Sequence, residues 1–225
     1  MQARAEGTLA GRLTPKAIVF DFNGTLSDDE PILCDIFVHL FAEHGRPLSA
    51  QEYFDDLAGL SDPEIVRTWL GRDHADIDAV IAERVQRYRA AVADGSSVHE
   101  DVREAVRYAA ARVPVAICSG AARAEIEPVV EAAGLAPLLR GIVSSDDVAE
   151  GKPHPDGYLK ALELLGGIEP ADVLVFEDTQ AGIASAKAAG MRVIAKTGTL
   201  DPHRLAGADE LVDRIDVELM RRLLG

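Results

Sequence analysis

Hydrophobic positions fall into two regimes along this chain. Ala17-Ile18-Val19-Phe20 is an unbroken apolar run that ends in Asp21 and turns at Asn23-Gly24. A run so short, bounded by turn residues and without polar alternation, predicts a strand buried on both faces, as in a parallel sheet. After Ser27-Asp28-Asp29-Glu30-Pro31, an acidic helix start with proline in its first turn, the period lengthens. Ile32, Leu33, Ile36, Phe37, Leu40 and Phe41 recur at helical spacing up to Gly45. Further helices are predicted over 50–57, 63–70 and 77–92, with no strand-like run between them. Gly95-Ser96-Ser97 marks a return hinge.

Beyond His99 the two periods alternate. A helix over 102–111 precedes a strand over 113–118 that ends at Ser119-Gly120, and a helix over 124–133 is closed by Gly134. A short strand over 141–143 leads into Ser144-Ser145-Asp146-Asp147. A helix over 157–165 is followed by a strand over 173–176 ending in Glu177-Asp178. A small-residue helix over 183–189 is closed by Gly190, and a last strand covers 191–195. This alternation predicts a parallel sheet with helices on both faces. The chain then divides into a loose tail (1–14), a core (15–27 with 96–225) and an all-helical insert (28–95). There is no internal repeat and no low-complexity segment.

With 225 residues the chain can bury a full core as one domain with an insert. The formal net charge of -15 argues against nucleic acid and against anionic membrane surfaces. It also means that a phosphate-handling site would need cations supplied locally. Cys34 and Cys118 lie far apart without ligand-like spacing, which suits a reducing cytosol and offers no zinc site. The first fifteen residues have no apolar centre, and no apolar run approaches membrane-spanning length. A soluble cytoplasmic protein is the expectation.

In open α/β sheets ligands bind beyond the carboxyl ends of the strands, which is where the reactive residues collect. Asp21 ends the first strand. Ser119 follows another, with a hydroxyl and succeeding amides able to grip an anion. Gly151-Lys152-Pro153 holds a lysine between a flexible and a stiff residue. Glu177 and Asp178 end a buried strand together, where adjacent carboxylates repel unless a cation intervenes. Each feature also has a plain structural reading: a capping aspartate, a turn serine, a solvated lysine, a helix-capping carboxylate. Their joint order is what points to a site.

That order, Asp-x-Asn-Gly-Thr, Ser-Gly, Gly-Lys-Pro and Glu-Asp, resembles the haloacid dehalogenase superfamily, specifically its Mg²⁺-dependent phosphatases and phosphomutases with a helical cap. The resemblance runs from about residue 17 to 200, most specifically through DFNGTLSD, GKPHPDGY and FEDTQAGIASAKAAGM. It implies an α/β, Rossmann-like doubly wound core with the nucleophile on its central strand, and residues 28–95 as the cap. By the same resemblance Asp21 is the nucleophile and forms an aspartyl phosphate. Asp21, Asp178 and the Asn23 carbonyl hold Mg²⁺, with Glu177 in support. Lys152 neutralises Asp21 and a phosphoryl oxygen, while Gly24, Thr25, Ser119 and Gly120 bind phosphate. The implied partner is a small phosphorylated metabolite, and the implied state a monomer or small homo-oligomer.

The chain departs from the pattern at Asn23, where these phosphatases normally carry a second Asp that protonates the leaving oxygen. An amide cannot exchange a proton at neutral pH. Three readings stay open: a native residue with activity limited to good leaving groups or with another proton relay, an engineered trap, or a phospho-ligand binder without turnover. Within 28–95 there is no lysine, which argues against the Schiff-base phosphonoacetaldehyde hydrolases. Glu177-Asp178 looks built for a metal, which argues against the metal-free dehalogenases. β-Phosphoglucomutases carry a histidine where Leu33 stands and an arginine where Asp62 stands, in a cap loop resembling Leu57-Ala58-Gly59-Leu60-Ser61-Asp62. An aspartate would repel the second phosphate of a bisphosphate intermediate. A monophosphate hydrolase is therefore expected over a mutase, with Gly59, Asp62 and Arg67 in the substrate loop of the cap; Arg67 is a candidate replacement cation, its plainer reading being a surface arginine.

Overall fold

A computed structural model describes residues 14–225, so the expected tail over 1–14 lies outside the described residues apart from its last position. Among the described residues one parallel sheet contains β1 (Ala17–Phe20), β2 (Val115–Cys118), β3 (Ile142–Val143), β4 (Val173–Glu177), β5 (Arg192–Lys196) and β6 (Glu210–Val212), in the order β3-β2-β1-β4-β5-β6. All four residues of β1 are fully buried, as an apolar run at the centre of a doubly wound sheet requires. Phe20 stacks on Phe176 across the β1–β4 pair, with ring centroids 5.0 Å apart.

The order reverses between β1 and β4, the switch point at which such sheets open a crevice. In register, Phe20 is level with Ile117 on one side and Phe176 on the other. Asp21, Ser119 and Glu177-Asp178 therefore emerge within two residues of one another along the same edge. Sheet topology alone brings them together.

Between β1 and α5 (Glu100–Ala110) the chain forms α1 (Glu30–Glu43), α2 (Ala50–Glu52), α3 (Asp62–Leu70) and α4 (Ile77–Ala91), with no strand among the described residues. Pro31 lies in the first turn of α1, where its missing N–H costs nothing. At the start of α3 the Ser61 amide and hydroxyl both donate to Glu64, at 2.9 and 2.6 Å. The remaining helices are α6 (Arg123–Ala132), α7 (Asp156–Leu164), α8 (Gln180–Ala188) and α9 (Val217–Leu224). Gly134 and Gly190 close α6 and α8 in the left-handed region, at φ +70° and +81°. No helix is long and apolar enough to cross a membrane, among the described residues.

Three details differ from the sequence expectation. The helix over 50–57 is regular for one turn only, after which the Ala58 amide reaches back five residues to the Tyr53 carbonyl, making a π-helical turn. The strand expected from 191 begins at Arg192, because the Met191 amide still satisfies the Ala186 carbonyl at the end of α8. The edge strand β6 and helix α9 were not expected. Glu210-Leu211-Val212 is half exposed and too short to show an apolar run.

Candidate active site

Asp21 is the first residue past β1 and only 6% exposed. Lys152 reaches it from the loop before α7, donating to Asp21 Oδ1 and to Glu177 Oε1 at 2.5 Å each, and to the Cys118 carbonyl at 3.2 Å. Glu177 is fully buried and both its oxygens are engaged. Oε1 also accepts from the Tyr158 hydroxyl, and Oε2 accepts from the Asp178 and Thr179 amides and the Thr179 hydroxyl. Asp178 accepts from Thr199 at 2.5 Å and from Thr25 at 3.3 Å. One carboxylate oxygen from each of Asp21, Glu177 and Asp178 lies within 4.8 Å of the others.

Three buried carboxylates cluster beside one ammonium, which bonds Asp21 and Glu177, and the charge does not balance. Burial pushes Asp21 up to about 7, Glu177 adding to the rise and Lys152 opposing it. Asp178 is driven well above the usual carboxylate range by burial and then by its two acidic neighbours. Burial works on Glu177 as well, but Lys152 and the amides around it hold it below its ordinary value. Burial would depress Lys152, yet Asp21 and Glu177 carry it well above. An all-oxygen donor set with excess negative charge is what a hard divalent cation requires, so the residues present fit one.

Two glycines make this crowding possible. Gly24 has φ +68°, and a Cβ there would lie 1.9 Å from Asp178 Oδ2. A Cβ at Gly182 would lie 1.6 Å from Glu177 Oε1. Gly182→Ala is expected to destabilise the protein by about 2–3 kcal/mol by displacing Glu177; chemical denaturation matching the unaltered chain would disprove the constraint.

The other sequence candidates are distributed as follows. The Asn23 amide donates to Asp29 Oδ2 at 2.9 Å and to the Tyr88 hydroxyl at 3.2 Å, so the residue ahead of α1 and a residue of α4 hold it. The Gly24 amide, expected on phosphate, donates to Asp29 Oδ1 at 3.1 Å, while its carbonyl accepts from Lys196 at 2.7 Å. Thr25, also expected on phosphate, is buried and braces Asp178. Ser119 is 6% exposed with its hydroxyl accepting from the Ala121 amide at 3.1 Å, and Gly120 beside it is exposed. Gly59 approaches the core: a Cβ there would meet Thr179 at 3.5 Å. Arg67 is exposed on α3; the buried cation beside Asp62 is Arg84, on α4.

Sequence reasoning missed Arg84, Asp29, Tyr88, Glu125 and Thr199. One signal was available. Val80, Arg84 and Tyr88 recur every four residues and form the buried stripe of α4, so a charge sat within an apolar row.

Glu30, at the start of α1, is half-buried and accepts from the Tyr53 hydroxyl at 2.9 Å. Burial pushes it up to about 7 from 4.5; Tyr53 opposes this and Asp29 adds to it. A carboxyl raised in the folded state stabilises the fold while protonated. That contribution is complete below its unfolded value near 4.5 and gone once pH passes about 7. Unfolding free energy should therefore fall across this window by about 3 kcal/mol at most from Glu30, and Glu30→Gln should flatten that part of the curve. Identical pH–stability curves for the two proteins would count against it.

A parallel sheet with paired acids and a lysine at its switch point defines a Rossmann-like α/β core built to work on a ligand there. Comparison with known proteins makes this specific. The sequence pattern of the haloacid dehalogenase-like hydrolases matches residues 18–196. Validoxylamine A 7'-phosphate phosphatase from Streptomyces hygroscopicus subsp. limoneus is 31% identical over 219 residues, covering 88% of this chain and 92% of the relative. Protein CbbY from Rhodobacter capsulatus is 35% identical, covering 80% and 84%. A crystal structure of mutant CbbY from Rhodobacter sphaeroides in complex with xylulose-(1,5)bisphosphate is 28% identical, with a TM-score of 0.79 and coverage of 91% and 96%. The chain belongs to the haloacid dehalogenase-like hydrolase family.

Proposed function

We propose that this protein is a Mg²⁺-dependent phosphatase of small phosphomonoesters that works through an aspartyl phosphate on Asp21, with the helical segment 28–95 acting as its cap. The observation that carries the reading is the meeting of Asp21, Lys152, Glu177 and Asp178 at one sheet edge. The named phosphatases among its relatives support it. The same reading makes it a soluble cytoplasmic enzyme, monomeric or a small homo-oligomer.

Asp21 and Asp178 would hold the ion together with the Asn23 carbonyl, and Glu177, already saturated with donors, would orient them. When bound, Mg²⁺ supplies charge neutralisation between the carboxylates and the phosphoryl oxygens. The Asp21 carboxylate attacks phosphorus and the bond to the ester oxygen breaks; the leaving oxygen departs with the electron pair as alkoxide or aryloxide and takes its proton from solvent. Water then attacks the same phosphorus, giving inorganic phosphate and free Asp21. Lys152 stays beside Asp21 Oδ1 throughout and neutralises charge building on the phosphoryl group, to which Ser119 and the Gly120 amide donate, the Gly24 amide being held by Asp29. Asn23 can orient the ester oxygen by hydrogen bonding but gives it no proton. Esters with good leaving groups are accordingly the best substrates.

The test is phosphate release from p-nitrophenyl phosphate and from a panel of alkyl and sugar phosphates, with Mg²⁺ and with chelator. Metal-dependent turnover, fastest for the aryl ester, is expected. Absence of turnover on every ester with Mg²⁺ present would favour the second reading, a phospho-ligand binding protein, which rests on Asn23.

A further inference from the structure

Gly24 lies between the nucleophile and the groups that brace Asp178, and a charged side chain holds it on each side. Its amide donates to Asp29 Oδ1 at 3.1 Å, and its carbonyl accepts from Lys196 Nζ at 2.7 Å. Asp29 is fully buried just ahead of α1, while Lys196 is the half-buried last residue of β5. Thr199, three residues beyond Lys196, packs against the same glycine: a Cβ at Gly24 would lie 2.7 Å from its hydroxyl. Asp29 also accepts from the Asn23 side-chain amide, through Oδ2 at 2.9 Å.

Peptide geometry turns these bonds into a direction. In a trans peptide the N–H of one residue and the C=O of the residue before it point opposite ways in a common plane. The bond between Asn23 and Gly24 is trans, so Asp29, by taking the Gly24 N–H, turns the Asn23 carbonyl away from itself. Lys196 fixes the next plane through the Gly24 carbonyl. With both planes held and φ at +68°, the Asn23 carbonyl cannot swing without breaking a charge-assisted hydrogen bond.

We propose that Asp29 and Lys196 are positioning residues for the metal site, a clamp on Gly24 that aims the Asn23 main-chain carbonyl at the divalent ion. The inference rests on the phosphatase reading above and deepens it. Lys196 separates this role from a general electrostatic one. A cation beside a cation site opposes Mg²⁺ by charge alone, so on that ground its removal tightens the ion. Loss of the clamp loosens it. The two effects have opposite signs.

Calorimetric titration of Mg²⁺ into the metal-free protein is the test. Lys196→Met should weaken Mg²⁺ binding about tenfold, and Lys196→Arg, which keeps a charged donor for the Gly24 carbonyl, should come within about threefold of the unaltered chain. Lys160→Met is the control. Lys160 is exposed on α7 and likewise donates to a backbone carbonyl, that of Asp147, so the same charge and the same kind of bond are lost elsewhere. It should leave the affinity unchanged. Asp29→Asn keeps the side-chain shape but only one of the two acceptors, and should also weaken Mg²⁺ about tenfold. If it does not fold, Lys196→Met decides. In p-nitrophenyl phosphate turnover Lys196→Met should raise the Mg²⁺ concentration giving half-maximal rate about tenfold, with kcat at saturating Mg²⁺ within about threefold. Equal or tighter Mg²⁺ binding by Lys196→Met, or equal weakening by Lys160→Met, overturns the clamp and leaves the phosphatase reading standing. An unaltered chain that binds no Mg²⁺ overturns both.

Discussion

Asp21→Asn is expected to lower kcat for phosphoester hydrolysis by on the order of 10⁴-fold or more while leaving the fold intact. An amide cannot attack phosphorus as the carboxylate does. The fold survives because Lys152 keeps Glu177 at 2.5 Å and the Cys118 carbonyl at 3.2 Å when the Asp21 carboxylate becomes a neutral amide. Burial already pushes Asp21 up to about 7, so a neutral side chain there removes a repulsion from Glu177 and Asp178. The metal-free variant should consequently unfold no more readily than the unaltered protein at pH 8. Initial rates of phosphate release and a denaturation curve measure the two halves separately. Activity within tenfold of the unaltered chain would remove Asp21 as nucleophile.

Asn23→Asp is expected to act in the opposite direction, raising kcat on alkyl phosphates by about 10²–10⁴-fold, the usual worth of general acid–base help. p-Nitrophenyl phosphate, whose leaving group needs no proton, should gain little. The substitution also has a structural cost. The Asn23 amide now donates to both Asp29 and the Tyr88 hydroxyl, and a carboxylate in its place would face the buried Asp29 carboxylate. We expect the new side chain to turn away from Asp29 and stability to drop by about 1–2 kcal/mol. If alkyl esters gain no more than the aryl ester, proton transfer to the leaving oxygen is not what limits this enzyme.

The strand ends were readable because they depend on local pattern. Ala17–Phe20 and Val173–Glu177 are apolar runs ending in acids, and a parallel sheet delivers the residues after such runs to one edge whatever the helices do. Asn23 was likewise flagged by position alone. What it does with its amide was not readable, since Asp29, just ahead of α1, and Tyr88, in α4, lie six and 65 residues further along. The same holds for Asp178, braced by Thr25 and Thr199 from loops 153 and 21 residues away. The choice between Arg67 and Arg84 shows the boundary well. Both sit on helices of the insert, and only the docking of α4 decides that Arg84 is the one buried against Glu125, 41 residues distant.

By itself, then, the sequence determined the α/β class, the helical segment after the first strand and the residues that crown the sheet. Periodicity and strand-end chemistry are local properties, and parallel topology converts them into a common site. Only the tertiary structure decided which donors saturate Glu177, which groups hold Asn23 and which arginine is buried against Asp62 and Glu125. Those contacts form between elements whose faces meet only on packing, where burial removes water and makes each unpaired charge or donor select its partner.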